Sequence, residues 1–368
     1  MKILHVITSL QTGGAEKLIV EIVPRLRQKG LDVDVCLFNG KDTPFKQQLR
    51  ECGCKVYDLS YNEHYYNPIK IYKLWRVMRH YDIVHTHNTA PQLFSAIANV
   101  LCKKIIVTTE HSTNSRRRDY PFLKYGDKWM YNSYDSVICI SDIAEKLLKD
   151  YLNVNSGETC NICTINNGID VARFYHAQPL NRKSVGSDDK QFVVVMVAGF
   201  RDAKDQDTVV RSLSRLPQQF ELWLVGDGIR RKEIESCIEK NKVIDRVRLL
   251  GVRMDVPAIL KASDVVVMSS HWEGLSLSNI EGMSVGKPFV ASDVNGLREM
   301  TQGAGLLFPH GDDEALAKLI MKLHDDKSLY QDVADACYKK AQQYDISRLV
   351  DEYTKVYEEL YAKARCEG

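Results

Sequence analysis

Short apolar runs alternate with amphipathic stretches along most of the chain. In the stretches, apolar residues recur with the 3.6-residue period of a helix, as over 15–26, where Gly30 supplies a stop signal. In the N-terminal half, the runs predict strands at 3–8, 31–38, 55–59, 82–86, 105–109, 136–140 and 162–165. Such alternation is typical of a mostly parallel sheet covered by helices on both faces.

The same alternation restarts after residues 178–190, a polar stretch without periodicity that we interpret as an interdomain linker. Strands are predicted at 192–198, 221–226, 247–250, 265–268, 288–292 and 306–308. The sequence therefore predicts an α/β protein with two doubly wound Rossmann-like domains, 1–177 and 191–345, facing across a cleft. An amphipathic helix in the C-terminal segment 346–368 is expected to pack back toward the N-terminal domain.

Composition and charge narrow the class of protein. Among 368 residues, 50 Lys plus Arg oppose 48 Asp plus Glu, which argues against the broad nucleic-acid binding that usually needs a strong basic excess. The longest apolar runs are far shorter than the roughly 20 residues of a membrane-spanning helix, and the N-terminus lacks a full signal-peptide pattern. Ten cysteines are too sparse for a disulfide scaffold. We therefore expect a cytoplasmic protein.

The segment HWEGLSLSNIEGMSVGKP has the most informative polar spacing. Glu273 and Glu281 are separated by seven residues, and a helix is predicted to begin near Ser276 or Leu277 and to stop at Gly286. Because a helix N-terminus attracts anions, a nucleotide diphosphate bound there would place its ribose near Glu281 and its attached group near Glu273. On spacing alone an alternative stays open, in which Glu273 is solvated and Glu281 complements the helix dipole.

Two further segments follow the first predicted strand of each half. GFRDAKDQD places Arg201 and Lys204 after the strand at 192–198, where two cations suit a diphosphate, although ordinary surface cations would give the same pattern. TGGAEK places Gly13 and Gly14 where glycine lets the backbone approach a phosphate or sugar closely. The G-x-G-x-x-G spacing of a dinucleotide site is missing.

Together these segments resemble one enzyme family. The Glu–seven residues–Glu spacing, the Arg and Lys after GF, GGAE, DIVHTH, TTEH, and INNGID followed by Phe174 are similar to the motifs of retaining glycosyltransferases of family 4, which have the GT-B fold. The resemblance implies transfer of a hexose or N-acetylhexosamine from a nucleotide diphosphate sugar, a UDP-sugar being favoured. The implied acceptor is a glycan or lipid-linked glycan in bacterial surface polysaccharide synthesis, and neither a metal nor another cofactor is expected.

The resemblance also implies roles for individual residues. Glu281 is expected to hold the ribose, Glu273 the hydroxyls of the donor sugar, and Arg201 with Lys204 the diphosphate. His111 is similar to the family histidine that contacts the donor sugar near the reaction centre. The other implied donor contacts are Gly13, Gly14, Val252, Arg253, Leu275, Ser276, Leu277 and Ser278.

The chain departs from the commonest family pattern at three positions. Leu275 and Ser276 replace the frequent Phe-Gly, and Gly282 replaces a usual Ala. These changes do not threaten the predicted fold, but they leave the identity of the donor sugar open.

A basic segment follows the strand at 105–109. Residues 103–128 hold seven cations and three anions, and Arg116, Arg117 and Arg118 are consecutive. We expect these arginines to meet an anionic acceptor, such as a lipid-phosphate-linked sugar at the inner face of a membrane. A solvated basic loop is the alternative.

Other patterns in the sequence admit different interpretations. His85 and His87 are interpreted as a structural strand end rather than a metal pair, and Asp32 with Asp34 as a solvated strand face rather than a metal-binding D-x-D. A nucleotide-sugar epimerase of the same fold and a catalytically silent nucleotide-binding partner subunit remain alternatives. The incomplete glycine pattern argues against an NAD-dependent oxidoreductase.

Overall fold

The computed structural model describes residues 1–11, 13–111, 120, 123–154, 161–273 and 277–367. Contacts between Cα atoms divide the chain into two compact units, and each unit contains one parallel sheet. The first unit comprises Met1–Gly168 and Ile346–Gly368, and the second comprises Ile169–Asp345. The predicted architecture of two Rossmann-like sheets with helices is confirmed.

The first unit is built on a seven-stranded sheet. Its strands are β1 (Lys2–Ile7), β2 (Asp32–Leu37), β3 (Val56–Asp58), β4 (Ile83–His87), β5 (Ile105–Glu110), β6 (Ser136–Cys139) and β7 (Ile162–Thr164). Their order is β3-β2-β1-β4-β5-β6-β7, and every pair is parallel. The winding direction reverses between β1 and β4, so the loops after these strands lie at the switch point where doubly wound sheets bind ligands.

Helices from both ends of the chain cover this sheet. They are α1 (Gly14–Gln28), α2 (Pro44–Glu51), α3 (Ile69–Met78), α4 (Thr89–Cys102), α5 (Leu123–Asn132), α6 (Asp142–Leu152) and α15 (Ile346–Glu367). Helix α15 packs on α1 and β5, and its Leu349, Val350, Tyr353 and Tyr357 belong to the apolar core of this unit. The predicted return of the C-terminal helix to the N-terminal part of the chain is confirmed.

The second unit repeats the plan with six strands. They are β8 (Phe192–Val197), β9 (Phe220–Val225), β10 (Val247–Gly251), β11 (Val265–Met268), β12 (Phe289–Ser292) and β13 (Leu306–Phe308). The order is β10-β9-β8-β11-β12-β13, again parallel throughout. The switch point of this sheet lies between β8 and β11.

The helices of the second unit follow its strands in alternation. They are α7 (Val171–Tyr175), α8 (Gln206–Ser214), α9 (Arg231–Lys240), α10 (Val256–Ala262), α11 (Leu277–Ser284), α12 (Leu297–Thr301), α13 (Asp313–Asp325) and α14 (Lys327–Ala341). The predicted stop of α11 at Gly286 agrees with its left-handed φ of +71°. In the described part of the chain, no helix combines the length and apolar content that crossing a bilayer requires.

The polar stretch 178–190, which we interpreted as a linker, lies inside the second unit. The guanidinium of Arg182 donates to the carbonyl oxygens of Gln191 at 2.6 Å and Ala262 at 2.9 Å, and it pairs with Asp264 at 2.9 Å. The division between the units falls instead after Gly168 and after Asp345. Composition does not reveal such anchoring, because backbone carbonyls of distant residues accept the bonds.

Candidate active site

Two polar side chains meet at the switch point of the second sheet. Lys204 ends the short helical turn after β8, and Glu273 lies five residues beyond the end of β11, the strand that pairs with β8. The ammonium of Lys204 donates to Oε2 of Glu273, and the hydroxyl of Ser270 donates to the same oxygen at 3.1 Å. The two charged side chains are 20% and 9% exposed. The structure thus forms a mostly buried ion pair at the predicted ligand-binding edge.

Backbone contacts hold the loops of this pair against each other. The amide of His271 donates to the carbonyl of Ala203 at 2.8 Å, and the hydroxyl of Ser269 donates to the carbonyl of Asp205 at 2.7 Å. Asp205 has a left-handed φ of +45°, and its carboxylate accepts from the amide of Thr208 to cap α8. Lys204 is therefore set by a capped helix on one side and by the end of β11 on the other.

Glu281 occupies the middle of α11 and is buried, with 3% of its surface exposed. Leu277 and Ser278 form the first described turn of the same helix. The departure at Gly282 has a packing reason, because a Cβ there would lie 2.8 Å from the ring of Phe289 and 2.9 Å from Val266. The large ring on β12 takes the space of the missing methyl group.

Among the described residues of this unit, the other predicted donor contacts are exposed or partly exposed. Arg201 follows β8 directly and is exposed. Val252, after β10, is 59% exposed. The guanidinium of Arg253 makes two bonds to the carboxylate of Asp255, at 2.8 and 2.6 Å, and this bonding lowers the pKa of Asp255. The side chain of Arg253 is thus engaged by Asp255.

In the first unit, Gly13 and Gly14 open α1 after β1. Gly13 is the N-cap residue in an extended conformation, and a Cβ there would lie 2.2 Å from a carboxylate oxygen of Glu16. Nothing lies within 4 Å of a Cβ built at Gly14. Burial raises the pKa of the Glu16 carboxyl. Gly13 therefore leaves room for this carboxylate at the first turn, whereas Gly14 faces open space.

His111 follows β5, is partly exposed, and lies at one end of a chain of histidines whose other members are buried. Its Nε2 lies 2.9 Å from Nδ1 of His87, and Nε2 of His87 lies 2.9 Å from Nδ1 of His5. His85 neighbours them on β4 and is hydrogen-bonded to Tyr357 and Thr109. We call His5, His85, His87 and His111 the histidine chain. Burial lowers the pKa of His5 to about 3 and of His111 to about 4, so both are neutral at pH 7.

Known proteins similar to this chain were found by sequence and by structure. The lipopolysaccharide core biosynthesis glycosyltransferase LpsD of Rhizobium meliloti is 27% identical over 334 residues, 89% of this chain and 90% of LpsD. The Escherichia coli UDP-Gal:alpha-D-GlcNAc-diphosphoundecaprenol alpha-1,3-galactosyltransferase is 27% identical over 305 residues, or 78% of each chain. Anabaena HepE in complex with UDP-glucose shares the fold, with a TM-score of 0.83 at 23% identity over 98% of this chain and 100% of HepE.

Two family models match consecutive parts of the chain. The Glycosyltransferase Family 4 model matches residues 12–173, and the Glycosyl transferases group 1 model matches residues 177–342. The chain is a glycosyltransferase of the family 4 type. Its two Rossmann-like sheets are those of the GT-B fold, as the resemblance in the sequence predicted.

The glycosyltransferase brings some of its predicted site residues together and leaves others apart. Lys204 and Glu273 are in contact, and Glu281 lies on the helix that follows Glu273. Several predicted residues lie outside the described part of the chain, so their roles stay predictions: Arg116, Arg117, Arg118, Leu275 and Ser276.

The sequence reasoning missed one loop of the glycosyltransferase. Gly226, Asp227 and Gly228 follow β9, and Cβ atoms at the two glycines would lie 2.1 Å from the carbonyl oxygen of Ala198 and 2.4 Å from that of Phe200. The carbonyl of Asp227 accepts from the amide of Phe200 at 3.0 Å. This loop therefore packs against the segment that precedes Arg201 and Lys204. A Gly-Asp-Gly at the end of the strand predicted at 221–226 was the signal available.

Among the residues that the structure describes, two groups of side chains come close enough to hold a metal ion: His5, His85 and His87, and Asp205, His271 and His310. In the first group, every ring nitrogen already has a hydrogen-bond partner. In the second, both oxygens of Asp205 accept from Thr208, and His271 contacts His310.

The interpretation of Asp34 as solvated is wrong, since its side chain is buried and accepts a hydrogen bond from the hydroxyl of Tyr81 at 2.7 Å.

Proposed function

We propose that this glycosyltransferase transfers a hexose or N-acetylhexosamine from a UDP-sugar to a glycan or lipid-linked glycan, with retention at the anomeric carbon and without a metal. Three relatives support the donor and acceptor classes by their names: LpsD by lipopolysaccharide core biosynthesis, the E. coli relative by UDP-Gal and a diphosphoundecaprenol-linked sugar, and HepE by its complex with UDP-glucose. At these identities, the particular sugar does not transfer from any of them.

The observation that carries the proposal is the ion pair of Lys204 and Glu273 at the β8–β11 switch point. A diphosphate bound there would share the ammonium of Lys204 with Glu273, and exposed Arg201 would add a second cation. The carboxylate oxygens of Glu273 would accept hydrogen bonds from hydroxyls of the sugar. A cation and a carboxylate that are preorganised in one mostly buried position match the opposite charges that develop in the reaction: negative on the leaving group and positive on the sugar.

The reaction follows from these charges. The bond between the anomeric carbon and the diphosphate oxygen breaks, and the electron pair leaves with the diphosphate. Lys204 and Arg201 stabilise that charge, and Glu273 stabilises the oxocarbenium-like sugar. The acceptor hydroxyl attacks from the face that the diphosphate leaves, and its proton passes to the departing phosphate oxygen. One glycosidic bond replaces the broken bond with the same configuration.

We assign roles toward the donor to two further residues, one in each unit. Glu281, buried in the middle of α11, would accept hydrogen bonds from the ribose hydroxyls. His111, at the end of β5, would contact the donor sugar. It is neutral at pH 7, so we assign it a hydrogen bond rather than a charge.

We further propose that the first unit docks on an anionic membrane surface when the acceptor is lipid-linked. On α3, Ile69 is 62% exposed and Tyr72 59%, and Lys73 and Arg76 lie on the same helix. Exposed aromatic and apolar side chains among cations are typical of helices that lie in a bilayer interface. Sedimentation with anionic vesicles tests this: Tyr72→Ser with Ile69→Ser should reduce binding, and unchanged sedimentation would contradict it.

A donor screen tests the proposed reaction. Hydrolysis of UDP-glucose, UDP-galactose, UDP-N-acetylglucosamine and GDP-mannose is measured without acceptor and with EDTA, and NMR of a transfer product reports the anomeric configuration. We expect cleavage of a UDP-sugar in EDTA and a retained configuration. Epimerised donor without cleavage would favour the epimerase alternative, and an inverted product would refute the mechanism.

Variants connect the screen to the site. Lys204→Ala and Glu281→Ala should each weaken donor binding by at least tenfold. Lys240→Ala is the matched control, because this exposed lysine ends α9. Wild-type donor kinetics in Lys204→Ala or Glu281→Ala would break that residue's assignment.

A further inference from the structure

The histidine chain continues beyond His5 to helix α15. Nε2 of His5 lies 3.4 Å from the hydroxyl of Tyr357, which lies 2.5 Å from Nδ1 of His85. Nε2 of His85 lies 2.7 Å from the hydroxyl of Thr109, which lies 3.0 Å from the hydroxyl of Tyr353. One unbranched series of hydrogen bonds therefore joins Tyr353 in the core to His111.

Each member of this series has one proton to donate in a hydrogen bond. A neutral imidazole donates from one ring nitrogen and accepts at the other, and a hydroxyl donates its one proton and accepts as well. The imidazoles are neutral because burial lowers their pKa values. All donors in the series must therefore point the same way along it, and the direction at one end sets the direction at the other.

The buried end sets that direction. Tyr353 is 1% exposed, and in the described part of the chain the hydroxyl of Thr109 is the hydrogen-bond partner of its hydroxyl. A buried hydroxyl that donates no hydrogen bond is destabilising, so Tyr353 donates to Thr109. Thr109 then donates to Nε2 of His85, whose Nδ1–H donates to Tyr357.

The same reasoning runs through to the other end. Tyr357 donates to Nε2 of His5, so His5 carries its proton on Nδ1 and donates to Nε2 of His87. His87 then donates from Nδ1 to Nε2 of His111. We propose that Tyr357, His5 and His87 are positioning residues that hold His111 as the Nδ1–H tautomer, so that it presents a hydrogen-bond donor to an oxygen of the donor sugar.

The contact with the sugar rests on the proposed function, whereas the tautomer does not. A donor N–H selects a sugar with an oxygen lone pair at that position, and a deoxy sugar would leave the N–H without a partner. The tautomer is a property of the free protein. The two parts of the inference can therefore fail separately.

Nitrogen-15 NMR of protein labelled at histidine tests the tautomer without substrate. Long-range correlations separate protonated from unprotonated ring nitrogens, and the spectrum of His111→Gln identifies the signals of His111. We expect Nδ1 of His111 to be protonated and Nε2 unprotonated. The Nε2–H form, or a mixture of both forms, in the wild-type protein would overturn the proposal.

Two tyrosines on the same helix supply a matched pair of variants. Tyr357→Phe interrupts the series, so His111 should become a mixture of tautomers. Tyr353→Phe removes an equally buried hydroxyl, but Thr109 still needs His85 as its acceptor, so His111 should keep the Nδ1–H form. Thr109→Val is a second interruption if Tyr357→Phe does not fold, and it should also give the mixture. An unchanged Nδ1–H form after either interruption would overturn the proposal.

Kinetics then separate the tautomer from the proposed function. If His111 contacts the donor, Tyr357→Phe should lower kcat/KM for the UDP-sugar about tenfold relative to Tyr353→Phe, since one hydrogen bond to the sugar is lost in part of the molecules. Equal kcat/KM in the two variants, with the NMR pattern as expected, would overturn the contact with the sugar. The assignment of the His111 tautomer would still be supported.

Discussion

Replacing Lys204 by Met tests the centre of the proposed site. Met has a similar length and no charge, so the change removes the ammonium and keeps the stem. Glu273, 9% exposed, would then keep only the neutral donor Ser270 at 3.1 Å. Breaking a buried pair from one side costs roughly 3–5 kcal/mol. Because Lys204 is 20% exposed and Ser270 remains, we expect a loss of about 2 kcal/mol in the free energy of unfolding.

A double-mutant cycle isolates the pair. Urea unfolding is measured for the wild type, Lys204→Met, Glu273→Gln and the double variant. Glu273→Gln removes the charge that the first change leaves without a partner, so the double variant should regain about 1 kcal/mol relative to additivity. Activity should follow a different pattern, because the cation also acts on the diphosphate. Lys204→Met and the double variant should both lose about a hundredfold in kcat.

Two results would refute this reasoning. Additive free energies in the cycle would show that Lys204 and Glu273 do not interact in solution. Recovery of kcat in the double variant would show that the cation serves only Glu273 and has no role at the diphosphate. Lys240→Met, on the exposed end of α9, is the control for an effect of lost charge alone.

Three other predictions concern stability. Gly282→Ala should lower the free energy of unfolding by about 1–3 kcal/mol through overpacking against Phe289 and Val266, and Phe289→Val should cost less stability in the Gly282→Ala background than in the wild type; no loss in the single variant would contradict the packing account. Gly226→Ala should lower the melting temperature sharply, since its φ is +134° and its Cβ would meet backbone at 2.1 Å, and a wild-type melting curve would refute this. Burial lowers the pKa values of the histidine chain, so the unfolded state binds more protons than the folded state below about pH 6.5. The free energy of unfolding should therefore fall as the pH drops toward 4, by up to about 1.4 kcal/mol per pH unit for each histidine. Urea unfolding between pH 7 and 5 checks the last, and a flat profile would contradict neutral buried histidines.

Sequence alone determined the order of strands and helices and the two Rossmann-like sheets, because parallel strands buried on both faces have an apolar signature that needs no long-range information. The family came from the resemblance of short motifs, which are also local in the chain. The sequence also predicted that Lys204 and Glu273 lie at strand ends. It could not show that they touch, since this depends on β8 and β11 being neighbours although β9 and β10 lie between them in the chain.

Only the tertiary structure decided the other features. In the sequence, Gly282 is only a departure from the usual Ala. In the structure, the ring of Phe289 on the next strand fills the space that an alanine methyl group would need. His5, His85, His87 and Tyr357 come from three elements spread over the whole chain, and β-pairing together with the return of α15 joins them. Local periodicity carries no record of such contacts, because hydrogen bonds between buried side chains depend on which strands are adjacent and not on the spacing within any one of them.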